Sequence, residues 1–177
     1  MTEIDPRYPV GRFHPPETID AALRASFVDT LEGIPAALRT AVSGLDAARL
    51  DTPYRDGGWT VRQVVHHLPD SHLNGYVRLK LALTEDAPTV RPYDEARWAE
   101  TPEARGGDVA MSLTLLDALH LRWVACLRSL PEPAFARTLV HPESGRWTVD
   151  GLLALYAWHG RHHVAQITSL RAGMGWA

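Results

Sequence analysis

The 177-residue sequence predicts an all-α chain folded as one four-helix bundle with long crossover connections. Three observations carry that prediction. Glycine and proline divide the chain into four stretches in which apolar residues recur every three or four positions, the period of a helix with one buried face. No stretch alternates apolar and polar residues as a half-buried strand does. The four stretches are long enough to share one core, and the connections between them differ widely in length.

A first helix is expected over residues 18–43, with Leu23, Phe27, Leu31, Ile34, Leu38 and Val42 along one face and Pro35 introducing a kink. Residues 1–17 precede it as an extended segment. A second helix enters at Trp59 and Thr60 and runs to Thr84; Thr60 and Gln63 have the spacing of a capping box, which gives the first free amides their partners. Residues 88–107, with their prolines, a glycine pair, Tyr93 and Trp98, read as a long connection holding a short helical turn. A third helix covers 112–130 and stops at Pro131 and Pro133. His141-Pro142-Glu143-Ser144-Gly145 marks a turn, and the last helix opens at Thr148 and closes near Arg171, with Gly173 placed as its C-terminal cap. Gly58-Trp59-Thr60-Val61 and Arg146-Trp147-Thr148-Val149 echo one another, either as a duplicated helix pair or as two similar caps.

The charges are 18 basic and 21 acidic residues, net -3, with no run of one sign. This argues against a nucleic acid or an anionic membrane as partner. The single cysteine, Cys126, has no intrachain partner and sits in an apolar helical pattern, which fits a buried side chain in a cytosolic protein. The first sixteen residues lack the apolar core of a signal peptide, and no apolar run of about 18 residues is expected, so the chain reads as soluble and cytoplasmic.

The chemistry lies in the histidines. In the last helix Leu152, Tyr156, His159, His163, Ile167 and Leu170 form one stripe, and His159 and His163, four apart, present both imidazoles on that face. His162 falls about 100° away, toward the rim or solvent. On the second helix Val64, His67, Ser71, Asn74 and Arg78 share a face with Asp70 beside it, while His66 points elsewhere. His72 lies outside that stripe. His14, His120 and His141 have no partner at ligand spacing and read as ordinary polar residues. Gly160 occupies the place of the zincin general base, there is no Cys-x-x-Cys, and the glutamates of a bundle di-iron site are missing. A mononuclear three-histidine centre is the metal pattern that remains.

The chain resembles the DinB-like superfamily of metal-binding four-helix bundles, and more closely its YfiT branch of metal-dependent hydrolases. The resemblance spans nearly the whole chain. It is carried by Tyr8-Pro9-Val10-Gly11-Arg12-Phe13, by Trp59-Thr60-Val61-Arg62-Gln63-Val64-Val65-His66-His67, by Asp70-Ser71-His72 with Asn74, and by Lys80-Leu81-Ala82-Leu83-Thr84-Glu85. Pro92-Tyr93-Asp94-Glu95, Tyr156-Ala157-Trp158-His159 and His162-His163 complete it. It implies one divalent metal per chain, zinc or nickel, on His67, His159 and His163, and a cytoplasmic homodimer. Relatives in the wider superfamily include transferases that conjugate bacillithiol or a similar thiol to electrophiles. The main local departure from the resemblance is Pro69, inside the metal-bearing helix, which removes one backbone hydrogen bond and is expected to kink the helix near His67.

Three neutral imidazoles leave a divalent cation's charge uncompensated and favour an anionic fourth ligand. For a hydrolase that ligand comes from water, whose pKa the metal lowers toward about 7. For a transferase it is a low-molecular-weight thiol. A third reading is a non-catalytic, stress-associated metal-binding bundle. Asn74 and Arg78 are placed to orient a small-molecule substrate, with Arg78 suited to a carboxylate or phosphate, or else an exposed helix charge or part of an ion pair. Asp70 reads as an acceptor for a histidine N–H, as a general base, or as a solvated residue. The loop carboxylate of Glu143 is a further candidate. Trp59 and Trp147 are expected as hydrophobic staples, and Trp123 and Trp158 as packing.

Overall fold

The structure is a computed structural model and describes residues 5–176. The first four residues of the expected extended segment lie outside the described residues. From residue 5 to Asp20 the chain has neither helix nor strand. Asp20 then accepts a hydrogen bond from the Leu23 amide and opens α1 (Ala21–Val42), which continues through Pro35. A short α2 (Ala47–Leu50) leads to α3 (Val61–Thr84), opened by the Thr60–Gln63 capping box and likewise continuous through Pro69. The long connection holds two short helices, α4 (Glu95–Trp98) and α5 (Pro102–Gly106). Next come α6 (Val109–Arg128), a 3-10 turn (Glu132–Ala136), strands β1 (Thr138–His141) and β2 (Gly145–Thr148), and α7 (Val149–Met174).

The four long helices α1, α3, α6 and α7 close a ring in which α1 touches α7 and α6, and α3 touches α6 and α7. Side-chain pairs give the directions. Arg24 meets Asp150 and Arg171 reaches the Ala41 carbonyl, so α1 and α7 run parallel. His66 meets Ser112 and Tyr76 meets Trp123, so α3 and α6 also run parallel. Helices consecutive in the sequence therefore lie on diagonals or need the crossover of residues 85–108. Leu31, Leu38, Leu68, Leu116, Trp123, Leu153 and Ile167 fill the centre. Two glycines permit the closest approaches. A side chain at Gly160 would strike Ile34 of α1, and one at Gly75 would strike the rings of Tyr156 and Trp123.

Residues 138–148 form an antiparallel hairpin, Thr138 paired with Thr148 through His141 with Gly145, where the sequence predicted only a turn. The four-residue strands are too short, and too rich in arginine and threonine, for a period of two to be read. Gly173 is not the cap of α7; Gly175, with φ of 65°, takes the left-handed position two residues later. The two echoing helix starts differ, because Gly151 stands where Gln63 completes the box, so Thr148 caps α7 without a reciprocal bond. By length and composition α6 is apolar enough to cross a membrane, but it packs against α1 and α3 in the bundle. Cys126 is half-buried, packed beside the core and not within it.

Candidate metal centre

His67 on α3 and His159 and His163 on α7 converge between two antiparallel helices. The Nε2 of His159 lies 3.3 Å from that of His67 and 3.2 Å from that of His163. Tetrahedral zinc with Zn–N bonds of about 2.0–2.1 Å sets its ligand atoms about 3.3–3.4 Å apart, so this spacing fits a single small cation. These three residues form a group able to hold a metal ion, each offering one ligand atom. His67 and His163 are buried and His159 is half-buried.

The rings are poised as ligands by their surroundings. Burial, then the charge of His162, holds His67 down to about 4. Burial and the neighbouring imidazoles hold His159 and His163 well below the usual histidine range. All three are thus neutral at physiological pH, the form a metal requires. His163 Nδ1 donates to Gln166 Oε1 at 2.8 Å, which leaves its lone pair on Nε2.

The surrounding residues differ from expectation in instructive ways. Trp59 is not only a staple: its ring lies 4.7 Å from that of His67 and stacks at 6.5 Å on His163, making a wall of the centre. His162 does not project into solvent but lies in the wall of a cleft beside the centre. It is buried, stacked on Trp158 and bonded to Gln166 at 3.0 Å, and its Nδ1 has no partner among the described residues. Trp158 donates to the Gly11 carbonyl, and Tyr8 lies against His162, so the Tyr8–Phe13 motif packs on α7 beside the site. His66 does point away, to Ser112 Oγ at 2.7 Å.

His72 and His120, set aside as ordinary polar residues, are buried and joined to the centre. His72 Nε2 lies 3.2 Å from His159 Nδ1, and His72 Nδ1 lies 2.8 Å from His120 Nε2. Periodicity on one helix missed them because each has its partner on another helix. Gln166, three residues past His163 and four past His162, was visible as a same-face neighbour but was not singled out.

Asp70 is half-buried, and burial followed by the charge of Glu103 pushes its carboxyl up to about 6. Asn74 turns its amide back to the Asp70 carbonyl at 2.9 Å. Arg78 is not an exposed charge. Its guanidinium reaches the Tyr156 hydroxyl at 3.5 Å and the Arg91 carbonyl at 3.3 Å, its Nε is buried without a partner, and no carboxylate pairs with it among the described residues. Tyr156 stands between Arg78 and His159, its ring 5.9 Å from the latter. Glu143 lies exposed in the hairpin turn, where its amide bonds the His141 ring.

A cleft of about 330 Å³ adjoins the centre, lined by Tyr8, Tyr54, Arg55, Trp59, His162 and His163 among others. A larger groove of about 650 Å³ between α1 and α6 is touched by His120 but by none of the three candidate ligands.

Residues 30–167 match the model of the DinB superfamily. The chain is 48% identical over its full length to YfiT of Bacillus subtilis, and 50% identical to relatives in Bacillus mycoides (97% of this chain, 99% of the relative) and Geobacillus kaustophilus (99% and 100%). The names of all three propose metal-dependent hydrolases. The solved structure of the Bacillus subtilis protein, described as a four-helix bundle of unusual topology, superposes with a TM-score of 0.95 over 97% of this chain and 99% of that one. A second four-helix bundle, TT2238, is 26% identical with a TM-score of 0.55, covering 84% of this chain and 98% of the other. Fold, histidine cluster and sequence agree: the chain belongs to the DinB superfamily.

Proposed function

We propose that the chain is a hydrolase of small molecules that works with one divalent cation, zinc before nickel, held by His67, His159 and His163. The supporting observation is the convergence of three neutral, largely buried imidazoles, with the Nε2 atoms of His67 and His163 at 3.3 and 3.2 Å from that of His159 and all three ligand atoms within 4.8 Å of one another. When bound, such a cation supplies a water molecule of lowered pKa and polarises a carbonyl or phosphoryl oxygen.

The chain's own residues then have these roles. The adjoining cleft admits substrate, and Trp59, which lines it, packs its ring against His67. Arg78, a cation without a paired carboxylate among the described residues, anchors an anionic group of the substrate, and Asn74 offers its side-chain oxygen beside it. Asp70, one turn from His67 with its carboxyl near about 6, takes up the proton released in the reaction. A homodimer is the assembly proposed, on the support of exposed apolar side chains on α3 (Leu73, Val77) and α6 (Met111, Leu115).

The test is metal analysis of untagged protein purified without chelator, followed by a panel of esters and amides with and without a low-molecular-weight thiol. About one equivalent of metal, and thiol-independent cleavage abolished in His159→Ala, is the expected result. Loss of a model electrophile only when thiol is present would replace the hydrolase by an S-transferase at the same metal. Metal without turnover of either kind would leave a non-catalytic metal-binding bundle.

A further inference from the structure

A chain of hydrogen bonds leads away from the metal centre and ends on a backbone carbonyl. His159 Nδ1 lies 3.2 Å from His72 Nε2, His72 Nδ1 lies 2.8 Å from His120 Nε2, and His120 Nδ1 lies 2.6 Å from the Leu31 carbonyl oxygen. His72 is 0% exposed and His120 2%, so neither ring exchanges these partners for water. Both rings sit in the bundle interior, where an ionised imidazole without an opposite charge would be costly, so both are neutral.

Each bond direction follows from the one before. A carbonyl only accepts, so His120 Nδ1 carries the proton and donates to Leu31. A neutral imidazole has one N–H, so His120 Nε2 accepts, and His72 Nδ1 must donate to it. His72 Nε2 is then an acceptor, and His159 Nδ1 donates to it. The lone pair of His159 is left on Nε2, the atom that faces His67 and His163.

The carbonyl at the end of the chain is free for a reason found in the sequence. In a regular helix Leu31 would accept from the amide of residue 35, but residue 35 is proline and has no N–H. A buried carbonyl without its helical donor needs another, and His120 supplies it. We propose that Pro35, His120 and His72 are positioning residues that fix His159 in the Nδ1–H form, whose Nε2 binds the cation. The inference rests on the reading of His159 as a ligand. It brings α1 and α6, which supply no ligand, into the construction of the site.

The test is nitrogen-15 NMR of the histidine side chains in the metal-free wild-type protein, combined with zinc affinity from competition with a chromophoric chelator. His72, His120 and His159 are each expected in the Nδ1–H form, and added zinc shifts His159 Nε2 while the Nδ1 protons of His72 and His120 stay in place. His72→Leu, which suits the apolar surroundings, lowers zinc affinity about 10–100-fold and releases His159 from the single form. His72→Gln, whose amide both accepts and donates, restores most of that affinity. An Nε2–H form at His72 or His120 in the wild type overturns the proposal, and so does wild-type affinity in a folded His72→Leu protein. If His72→Leu fails to fold, the wild-type proton pattern decides alone. Neither readout uses a substrate, so a failed search for hydrolysis leaves the result standing, and zinc that does not bind at all sinks the metal-centre reading while the proton pattern is still read.

Discussion

Gln166 Oε1 accepts from His163 Nδ1 at 2.8 Å, and the same side chain donates its amide to His162 Nε2 at 3.0 Å. One residue on α7 thus orients a candidate ligand and occupies the histidine beside it. Gln166→Leu removes the acceptor and is expected to lower zinc affinity about 10–100-fold, whereas Gln166→Glu keeps the acceptor and retains most of it. Equal affinities for the two variants, measured by chelator competition, would contradict this role.

The ligand assignment separates neighbouring histidines. His67→Ala, His159→Ala and His163→Ala each remove one of three converging atoms and are expected to weaken zinc by more than about 100-fold. His66→Ala breaks bonds to Ser112 and Gly107 only, and His162→Ala frees one hand of Gln166. Both are expected to stay within about tenfold of wild type. Metal content and titration of all five proteins check the pattern.

Acid should weaken the metal-free fold. His67 and His120 are held down to about 4 by burial, while an unfolded imidazole takes its proton near about 6.5. Between these values the unfolded chain binds more protons, so stability is complete above about pH 6.5 and is lost as pH falls toward about 4. Asp70, pushed up to about 6, acts in the opposite sense and offsets one of the two imidazoles. The urea midpoint of the metal-free protein is therefore expected to fall from about pH 7 to about pH 5. An unchanged midpoint would mean that these rings are not buried as neutral groups.

Close packing beside the site gives a further test. Gly75 lies against Trp123 and Tyr156, and a methyl group there meets the rigid rings of both. Gly75→Ala gains about 1 kcal/mol of helix propensity but overpacks the core at a cost of roughly 1–3 kcal/mol. The expected outcome is net destabilisation, read as a lower urea midpoint, with a change in Tyr156 ring environment by NMR. A stabilised variant would show that α3 and α7 have room to separate.

The sequence by itself determined the four long helices, because helical periodicity, the Thr60–Gln63 box and the flanking prolines act over three or four residues. It also singled out His67, His159 and His163, since spacing on one helix brings two of them together and the shared face of the second supplies the other. Where the partner lies on another helix, spacing carries no such information. His120 meets Leu31 across 89 residues and His72 meets His159 across 87, so only the packing of α1 and α6 against α3 and α7 decides that these two histidines belong to the centre. The same holds for Trp59 and His162, whose burial depends on neighbours contributed by other segments. Pro35 stands between the two cases. Its missing amide was evident in the sequence as a break in the α1 ladder, but that the freed carbonyl would anchor a histidine of α6 followed only from the parallel and antiparallel packing of the bundle, which sets that carbonyl against His120.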